Sequence, residues 1–436
     1  MATADTIVAL SSGGLPAGVA VIRASGPGAS AICREMAGGL VPERHLGLRR
    51  IRSPSTGATL DTGLVAWMPG PNSFTGEDCL ELHLHGSPAV VRAVLRSLTA
   101  ISGVRLAQPG EFTRRAFENG RLDLTEVEGL GDLIVAETET QRAQALARLQ
   151  GGISERVDNW RNRLLDLRAE IEAHLDFSDE GDVPDDLPPG FIRAVEQLRA
   201  EVGAAARSVE QGRAVREGIR VVLAGAPNSG KSSLVNALSK SEVAIVTDEA
   251  GTTRDTRDVP LELGGHLVVL VDTAGLRETE SIAEAEGVRR ARQEVSRSDL
   301  VLWLRAPDVA DADLDQPAGG EVWQIGTKAD IGTSAPDALA ISVRTGEGVD
   351  ELLQRLGNFA AERAGGGELV LLSRERDRSA LMDCSEHLSR LSADVDHLEL
   401  AAENLRLAGD SLARLLGRLD PEAVLDRLFL SFCIGK

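Results

Sequence analysis

Gly225-Ala226-Pro227-Asn228-Ser229-Gly230-Lys231-Ser232 fits G-x-x-x-x-G-K-[ST], the pattern of a phosphate-cradling loop. The flanks suit it. Ile219 to Leu223 reads Ile-Arg-Val-Val-Leu, a short apolar run that predicts a buried strand. Ser233 to Leu238 reads as the first turns of a helix. Strand, glycine loop and helix start gather backbone N–H groups, including those of Gly230 and Ser233, around one point. Those groups have no partner inside the helix and the helix dipole is positive there, so the point suits a phosphate. Lys231 adds a cation for the outer phosphates, and the Ser232 hydroxyl suits Mg²⁺. A chance glycine turn is the bland alternative, and the strand and helix in register argue against it.

Four further segments follow in an order that points to GTP. Gly251-Thr252-Thr253-Arg254-Asp255 has the character of a first switch, with Thr253 as a candidate Mg²⁺ ligand. Leu267 to Val271 predicts an apolar strand ending in Asp272-Thr273-Ala274-Gly275. There a carboxylate can hold Mg²⁺ through water and a glycine N–H can meet the γ-phosphate. Thr327-Lys328-Ala329-Asp330 follows the strand-like Val322 to Ile325, and Asp330 can accept the donor pair that guanine offers and adenine lacks. Ser342-Val343-Arg344 closes the base pocket. Thr327 stands where such a motif usually opens with Asn. It keeps an oxygen and loses the amide donor, so weaker affinity with intact guanine selection is expected. Leu276 stands where Ras-like proteins carry a water-positioning glutamine. Something else must place the water, and Glu278, Glu284 and Glu286 lie just downstream.

The 436 residues exceed one ordinary core, so two or three domains are expected. No run of about eighteen apolar residues predicts a membrane span. Met1 to Ala9 has no basic stretch before an apolar core, so no signal peptide is read and a cytoplasmic location is expected. Cys33, Cys79, Cys384 and Cys433 make no metal spacing and read as reduced thiols. The net charge of −20 excludes a broad non-specific nucleic-acid surface. Action on RNA would need a local basic patch or a partner carrying the positive charge.

Residues 1–118 read as an α+β domain, with strands over Thr6 to Leu10, Gly18 to Arg23 and Asp78 to Leu84, and a helix over Pro88 to Leu98. The cluster Arg114, Arg115 and Arg121 reads as a solvated face. His83 and His85 share a strand face and, with no third ligand, read as structural or pocket-lining. From 119 to 217 the chain is helical. Leu146, Leu149, Ile153, Val157, Trp160, Leu164, Leu167, Ile171 and Leu175 predict one long helix. The acidic loop from Asp176 to Asp186, with Pro184, Pro188 and Pro189 breaking the helix, reads as a solvated linker in preference to a metal-binding loop. The nucleotide domain covers 218–361, and Gly365-Gly366-Gly367 marks its exit. From 362 to 436 a second stripe runs through Leu381, Cys384, Leu388, Leu391, Val395, Leu398, Ala402 and Leu405. Two stripes that cannot bury themselves alone are expected to pack on each other. The helical domain is then discontinuous, with the nucleotide domain inserted.

Along essentially its whole length the chain resembles the MnmE (TrmE) family of bacterial tRNA-modification GTPases. The likeness rests on Asp5-Thr6-Ile7-Val8-Ala9, Gly76-Glu77-Asp78, Pro109-Gly110-Glu111-Phe112-Thr113, Leu122-Asp123-Leu124, the nucleotide motifs and the tail Phe432-Cys433-Ile434-Gly435-Lys436. The resemblance implies an N-terminal folate-binding and dimerising domain, an all-α domain and an inserted α/β Ras-like P-loop GTPase domain. It implies formyl- or methylene-tetrahydrofolate held by Arg23, Glu81, Arg121 and Lys436. Arg121 stands where lysine is expected, with the charge kept and the geometry changed. It implies K⁺ at the phosphates, ligated by Asn228, Thr247, Glu249 and Thr252, with the loop Thr247-Asp248-Glu249-Ala250-Gly251-Thr252 closing over it. It implies that Glu284 orients water and that Lys231 serves catalysis. It also implies a homodimer that joins an MnmG-type flavoprotein, in a heterotetramer or larger, to modify the wobble uridine of certain tRNAs. GTP-dependent approach of the two nucleotide domains belongs to the same expectation.

Cys433 stays open between a catalytic thiol and a small buried residue. Two other functions compete: a regulatory switch in ribosome assembly, and a folate-binding structural protein with a vestigial loop. The N-terminal domain and the tail argue against the first, and intact Lys231, Ser232, Asp272 and Asp330 against the second.

Overall fold

The computed structural model describes residues 5–176, 187–188, 190–245, 258–272, 294–309, 320–332, 337–367, 369–393, 397–419, 428–430, 432 and 435. The chain divides into two compact units, Met1–Gly131 with Leu412–Lys436, and Asp132–Ser411.

In the first unit, β1 (Thr6–Leu10), β2 (Ala17–Ser25), β3 (Leu46–Arg52), β4 (Thr59–Met68), β5 (Cys79–Gly86) and β6 (Val104–Leu106) form one sheet in the order β3-β4-β5-β2-β1-β6. All its pairs are antiparallel except β1 with β6. Alternation decides its faces. Leu80, Leu82 and Leu84 point into a core shared with α1 (Ala29–Ala37) and α2 (Pro88–Thr99), where Ile32, Met36, Val94 and Leu98 are fully buried. Glu81, His83 and His85 therefore point the other way. Ser87 caps α2 by accepting from the Ala89 N–H at 3.3 Å, with Pro88 starting the helix. The strands β3 and β4 were not foreseen. Leu-Gly-Leu-Arg-Arg-Ile-Arg in β3 is an edge strand in which Leu46, Leu48, Arg50 and Arg52 are exposed, Arg49 is half-buried and Ile51 alone is fully buried.

Within the arginine cluster read as a solvated face, Arg121 is exposed and Arg115 is not. Arg115, on α3 (Glu111–Glu118), is only 2% exposed. Its Nη1 donates to the Asp5 carbonyl at 3.1 Å and Glu77 Oε2 at 3.0 Å, and its Nη2 to Asp5 Oδ1 at 2.9 Å and Glu111 Oε1 at 3.2 Å. Burial alone would raise the Glu111 carboxyl, but hydrogen bonds from Arg105 and the Gln108 N–H hold it below its ordinary range. The cage is thus the carboxylates of Asp5, Glu77 and Glu111 around one buried guanidinium. Removing the guanidinium takes away the buried cation that joins Asp5, Glu77 and Glu111 and leaves Arg105 on Asp5 and Glu111 alone. Arg115→Met is expected to destabilise this unit by about 3–5 kcal/mol, read as a lowered denaturation midpoint. An unchanged midpoint would show that the cage is dispensable.

In the second unit, α5 (Glu139–Leu149), α6 (Gly152–Asp176) and α7 (Phe191–Glu217) follow α4 (Leu124–Ile134) along the chain. The long helix expected across Leu146 to Leu175 is two helices. Gly151 has φ +84°, a left-handed conformation that ends α5, and α6 restarts at Gly152. The nucleotide-domain sheet then forms from β7 (Ile219–Gly225), β8 (Asp258–Leu263), β9 (His266–Asp272), β10 (Leu300–Arg305), β11 (Glu321–Gly326) and β12 (Leu339–Ala340), in the order β12-β11-β10-β7-β9-β8. All pairs are parallel except β8 with β9. Strands covered on both faces need continuous apolar runs, and Leu-Val-Leu-Trp-Leu in β10 is buried throughout. α8 (Lys231–Leu238) and α9 (Val349–Arg363) contribute Leu234, Leu352 and Leu356 to this core.

α10 (Glu375–Ala393) and α11 (Leu398–Leu415) follow. α10 packs along α7. Its Leu381, Cys384, Leu388 and Leu391 are fully buried, as are Val195, Leu198 and Val202 of α7. Burial pushes the Cys384 thiol up to about 12, so this cysteine is inert packing. The helical part is therefore discontinuous, and the nucleotide-binding sheet is inserted between its two stretches. The acidic stretch between α6 and α7 lies outside the described residues apart from its ends.

Candidate functional site

The strand β7 delivers its chain to a loop whose backbone only certain residues tolerate. Gly225 has φ +142°, and a Cβ there would lie 2.4 Å from the Leu304 carbonyl oxygen. Asn228 follows at φ +66°, exposed, with Gly230 at φ +96° as the cap of α8. Lys231 is 7% exposed, and its Nζ donates to the carbonyls of Gly225 at 3.0 Å and Ala226 at 2.8 Å, and reaches Ser229 Oγ at 3.5 Å. The ammonium is thereby held inside the loop it serves. Ser232 Oγ donates to Asp272 Oδ2 at 3.0 Å. Register explains the meeting, because Leu223 of β7 pairs with Asp272 at the end of β9. Two oxygen donors at that separation fit a hard cation with oxygen ligands, which is what Mg²⁺ requires. Ser233 is exposed beside them on α8.

The base side is built from loops after β11 and β12. Ser342 Oγ donates to Asp330 Oδ1 at 2.7 Å, and Arg344 Nη1 lies 3.4 Å from Oδ2. The Ser342 hydrogen bond, helped by the Arg344 charge, holds the Asp330 carboxyl below its ordinary value, so it is ionised at neutral pH and fixed in direction. The Ala329 N–H donates to the Ile341 carbonyl at 3.1 Å, which joins the two loops. Val343 is exposed at the rim. Thr327 is buried, and its Oγ1 donates to the Ser229 carbonyl at 2.6 Å. The threonine thus ties the base loop to the phosphate loop. Sequence reasoning missed Asp308, which pairs with Lys328 Nζ at 2.7 Å across the rim. No local pattern marked it, since the two are twenty positions apart.

In the first unit, Arg23 and Glu81 stand opposite each other in the β2–β5 register. Arg23 Nε and Nη2 donate to Glu81 Oε1 at 3.0 and 2.8 Å, and His83 Nε2 lies 3.1 Å from Oε2. The Arg23 guanidinium sits over the rings of Phe74 and Phe112 at 5.4 and 5.8 Å, contacts the sequence did not announce. Arg121 is exposed and lies beside Gly76. The Gly435 carbonyl accepts from Ser11 Oγ at 2.8 Å, next to the end of β1. His85 pairs with Asp61 at 2.8 Å. Among the described residues no group of three or more His, Cys, Asp or Glu could hold a metal ion.

Thr247, Asp248, Glu249, Ala250, Gly251, Thr252, Thr253, Thr273, Ala274, Gly275, Glu284, Cys433 and Lys436 lie outside the described residues.

Residues 124–433 match the model of the MnmE helical domain, and residues 6–121 match that of the GTP-binding protein TrmE N-terminus. The chain belongs to the MnmE family. Its MnmE relatives include the tRNA modification GTPase MnmE of Azorhizobium caulinodans, 50% identical over 100% of this chain and 99% of that protein. The MnmE proteins of Methylorubrum populi and Rhizobium etli are each 49% identical over 99% of this chain. The MnmE match begins with α4 and spans the inserted nucleotide-binding sheet. No helix among the described residues is long and apolar enough to cross a membrane.

Proposed function

We infer that the chain is a GTP hydrolase acting in tRNA modification. Full-length likeness to tRNA modification GTPases at half of all positions carries the reading. It is supported by the Lys231, Ser232 and Asp272 arrangement at the phosphate end and the Ser342-oriented Asp330 at the base end. GTP is the substrate. Mg²⁺, held through Ser232 and Asp272 with Thr253, would neutralise phosphate charge. Lys231 binds the outer phosphates, and Asp330 selects guanine. The tRNA is the modified partner. Loss of the chain should remove the modified wobble uridine from nucleosides analysed by mass spectrometry. Nucleosides unchanged in a strain without it would overturn the reading and favour the ribosome-assembly switch.

The finer reading follows the family. Thr247, Asp248, Glu249, Ala250, Gly251 and Thr252 close over K⁺ beside Asn228, Thr273, Ala274 and Gly275 line the γ-phosphate, and Glu284 orients the attacking water. Leu276 cannot place that water, which motivates both roles. A folate one-carbon unit sits near Arg23, Glu81, Arg121 and Lys436, close to Cys433. A carboxylate and a guanidinium suit the N–H groups of a pterin and the acidic tail of a folate. Two chains form a dimer, an MnmG-type flavoprotein joins them, and GTP draws the two nucleotide domains together.

The cation has its own test. Hydrolysis should be about tenfold faster in K⁺ than in Na⁺ if a monovalent ion offsets developing charge at the phosphates. Asn228→Ala should lose most of that difference in paired turnover assays. A K⁺ response that survives the substitution would place the ion elsewhere.

A further inference from the structure

One short helix touches the inserted nucleotide domain at its entrance, at its exit and at a third place that is neither. The helix is α5. Its Thr138 and Gln141 form a capping box, which uses the Gln141 N–H. The next free N–H of that turn, on Thr140, donates to the Gly265 carbonyl at 3.2 Å, and Thr140 Oγ1 donates to the same oxygen at 2.7 Å. Gly265 is the tip of the β8–β9 hairpin. Gly264 and Gly265 have φ +60° and +84°, a two-residue turn that glycine pairs favour, and a Cβ on Gly265 would lie 3.8 Å from Thr140 Cγ2.

The same helix holds both crossings of the chain. Gln141 Nε2 donates to the Arg216 carbonyl at 3.1 Å, where α7 leads into β7. Gln144 is 3% exposed, and its Nε2 donates to the carbonyls of Gly212 at 3.2 Å and Val370 at 2.6 Å. One amide thus joins the incoming helix to the outgoing strap. Fully buried Arg148 donates through Nη1 to Ser373 Oγ. The fit is close, since a Cβ on Gly212 would lie 1.9 Å from the Leu372 carbonyl oxygen. Thr140, Gln144 and Arg148 recur every four residues, so they share one face and spread their grip over about 12 Å.

We propose that α5 is the mount that fixes the nucleotide domain's orientation on the helical scaffold, with Thr140 and Gln144 as positioning residues. Two chain crossings alone leave a body free to swing about the line between them. The hairpin tip supplies a contact that no chain crossing provides. β9 runs from that tip to Asp272, about 20 Å at strand rise, so the mount and the Mg²⁺ carboxylate are the two ends of one strand. A force at the phosphates therefore reaches α5 along a stiff element and not only through the chain connections. The modification arm of the test below rests on the function proposed above, and the distance arm does not.

Spin labels at Arg193→Cys on α7 and Gln354→Cys on α9, both exposed positions, report the orientation. Cys433 is replaced by serine in the labelled chain only, and that chain is diluted into excess unlabelled protein so that distances are intrachain. Thr140→Val removes one donor at nearly constant volume, and Gln144→Met removes two. Either should broaden the distance distribution about twofold, with hydrolysis per chain within about twofold of wild type, because neither residue touches the nucleotide. Wobble modification by the complete complex should fall at least about tenfold in Gln144→Met. If Gln144→Met fails to fold, Thr140→Val decides. Unchanged distance widths, or hydrolysis and modification falling in parallel, would overturn the mount. A wild-type chain that modifies no tRNA would sink the function and leave the distance result standing.

Discussion

Asp330→Asn should weaken GTP binding by two to three orders of magnitude and create binding of xanthosine triphosphate. The carboxylate accepts two donors from guanine, and charged hydrogen bonds of this kind contribute about 1.5–3 kcal/mol each. An amide offers one acceptor and turns an NH₂ toward a guanine donor, so one bond is lost and a repulsion is added. Xanthine replaces that donor with an oxygen, which the NH₂ can serve. The surroundings favour a clean swap. Ser342 Oγ can donate to an amide oxygen as it does to Asp330 Oδ1 at 2.7 Å, so the side chain keeps its direction. Because the Asp330 carboxyl titrates below its ordinary value, wild-type selectivity should hold as pH falls through 5 and fail only below the usual carboxylate range. Titration of both triphosphates against wild type and variant decides it. A variant that binds neither would assign Asp330 to loop structure, and one that still prefers GTP would put base selection elsewhere.

The phosphate and base loops were legible in the sequence because their chemistry fixes both residue type and spacing. Ser232 and Asp272 meet because β7 and β9 pair in parallel with Leu223 opposite Asp272, a register the sequence did not announce. The inserted architecture was legible for a different reason, since helical sequence either side of the insert had to bury its apolar residues, although the partner of α10 is α7 and the stripe of α5 and α6 lies against α7 instead. What escaped depends on partners distant in the chain. Arg115 looks like a surface cation among Arg114 and Arg121 until Asp5 and Glu77 close around it. Gln144 looks like an ordinary polar helix residue, and nothing local says that Gly212 and Val370 will present carbonyls to it. The break between α5 and α6 was visible as Gly151-Gly152, but the apolar stripe runs through it in phase and hid it. Thr327 was read by what it lacks relative to asparagine, whereas its hydroxyl supplies a direct bond to the Ser229 carbonyl.

Lys231→Ala should abolish hydrolysis, lowering turnover by at least about three orders of magnitude, as expected when a phosphate-clamping cation is removed from a preorganised site. Two effects act in the same direction. The ammonium that would meet the outer phosphates is gone, and the carbonyls of Gly225 and Ala226 lose the donor that holds them at 3.0 and 2.8 Å. The second effect is structural and must be separated from the first. Lys231→Met retains most of the buried methylene packing while lacking charge and donors, so it isolates the polar roles. Lys231→Arg keeps the charge, but a planar fork cannot replace a compact ammonium against two neighbouring carbonyls, so little rescue is expected. The fold should survive all three, because Leu234, Val221 and Leu223 of the surrounding core are untouched and fully buried. Thermal melting should therefore stay near wild type while single-turnover hydrolysis disappears. Triphosphate affinity should fall more than diphosphate affinity, since the side chain serves the outer phosphates. Hydrolysis within about tenfold of wild type in Lys231→Met, with melting unchanged, would show that the chain's nucleotide chemistry does not run through this loop.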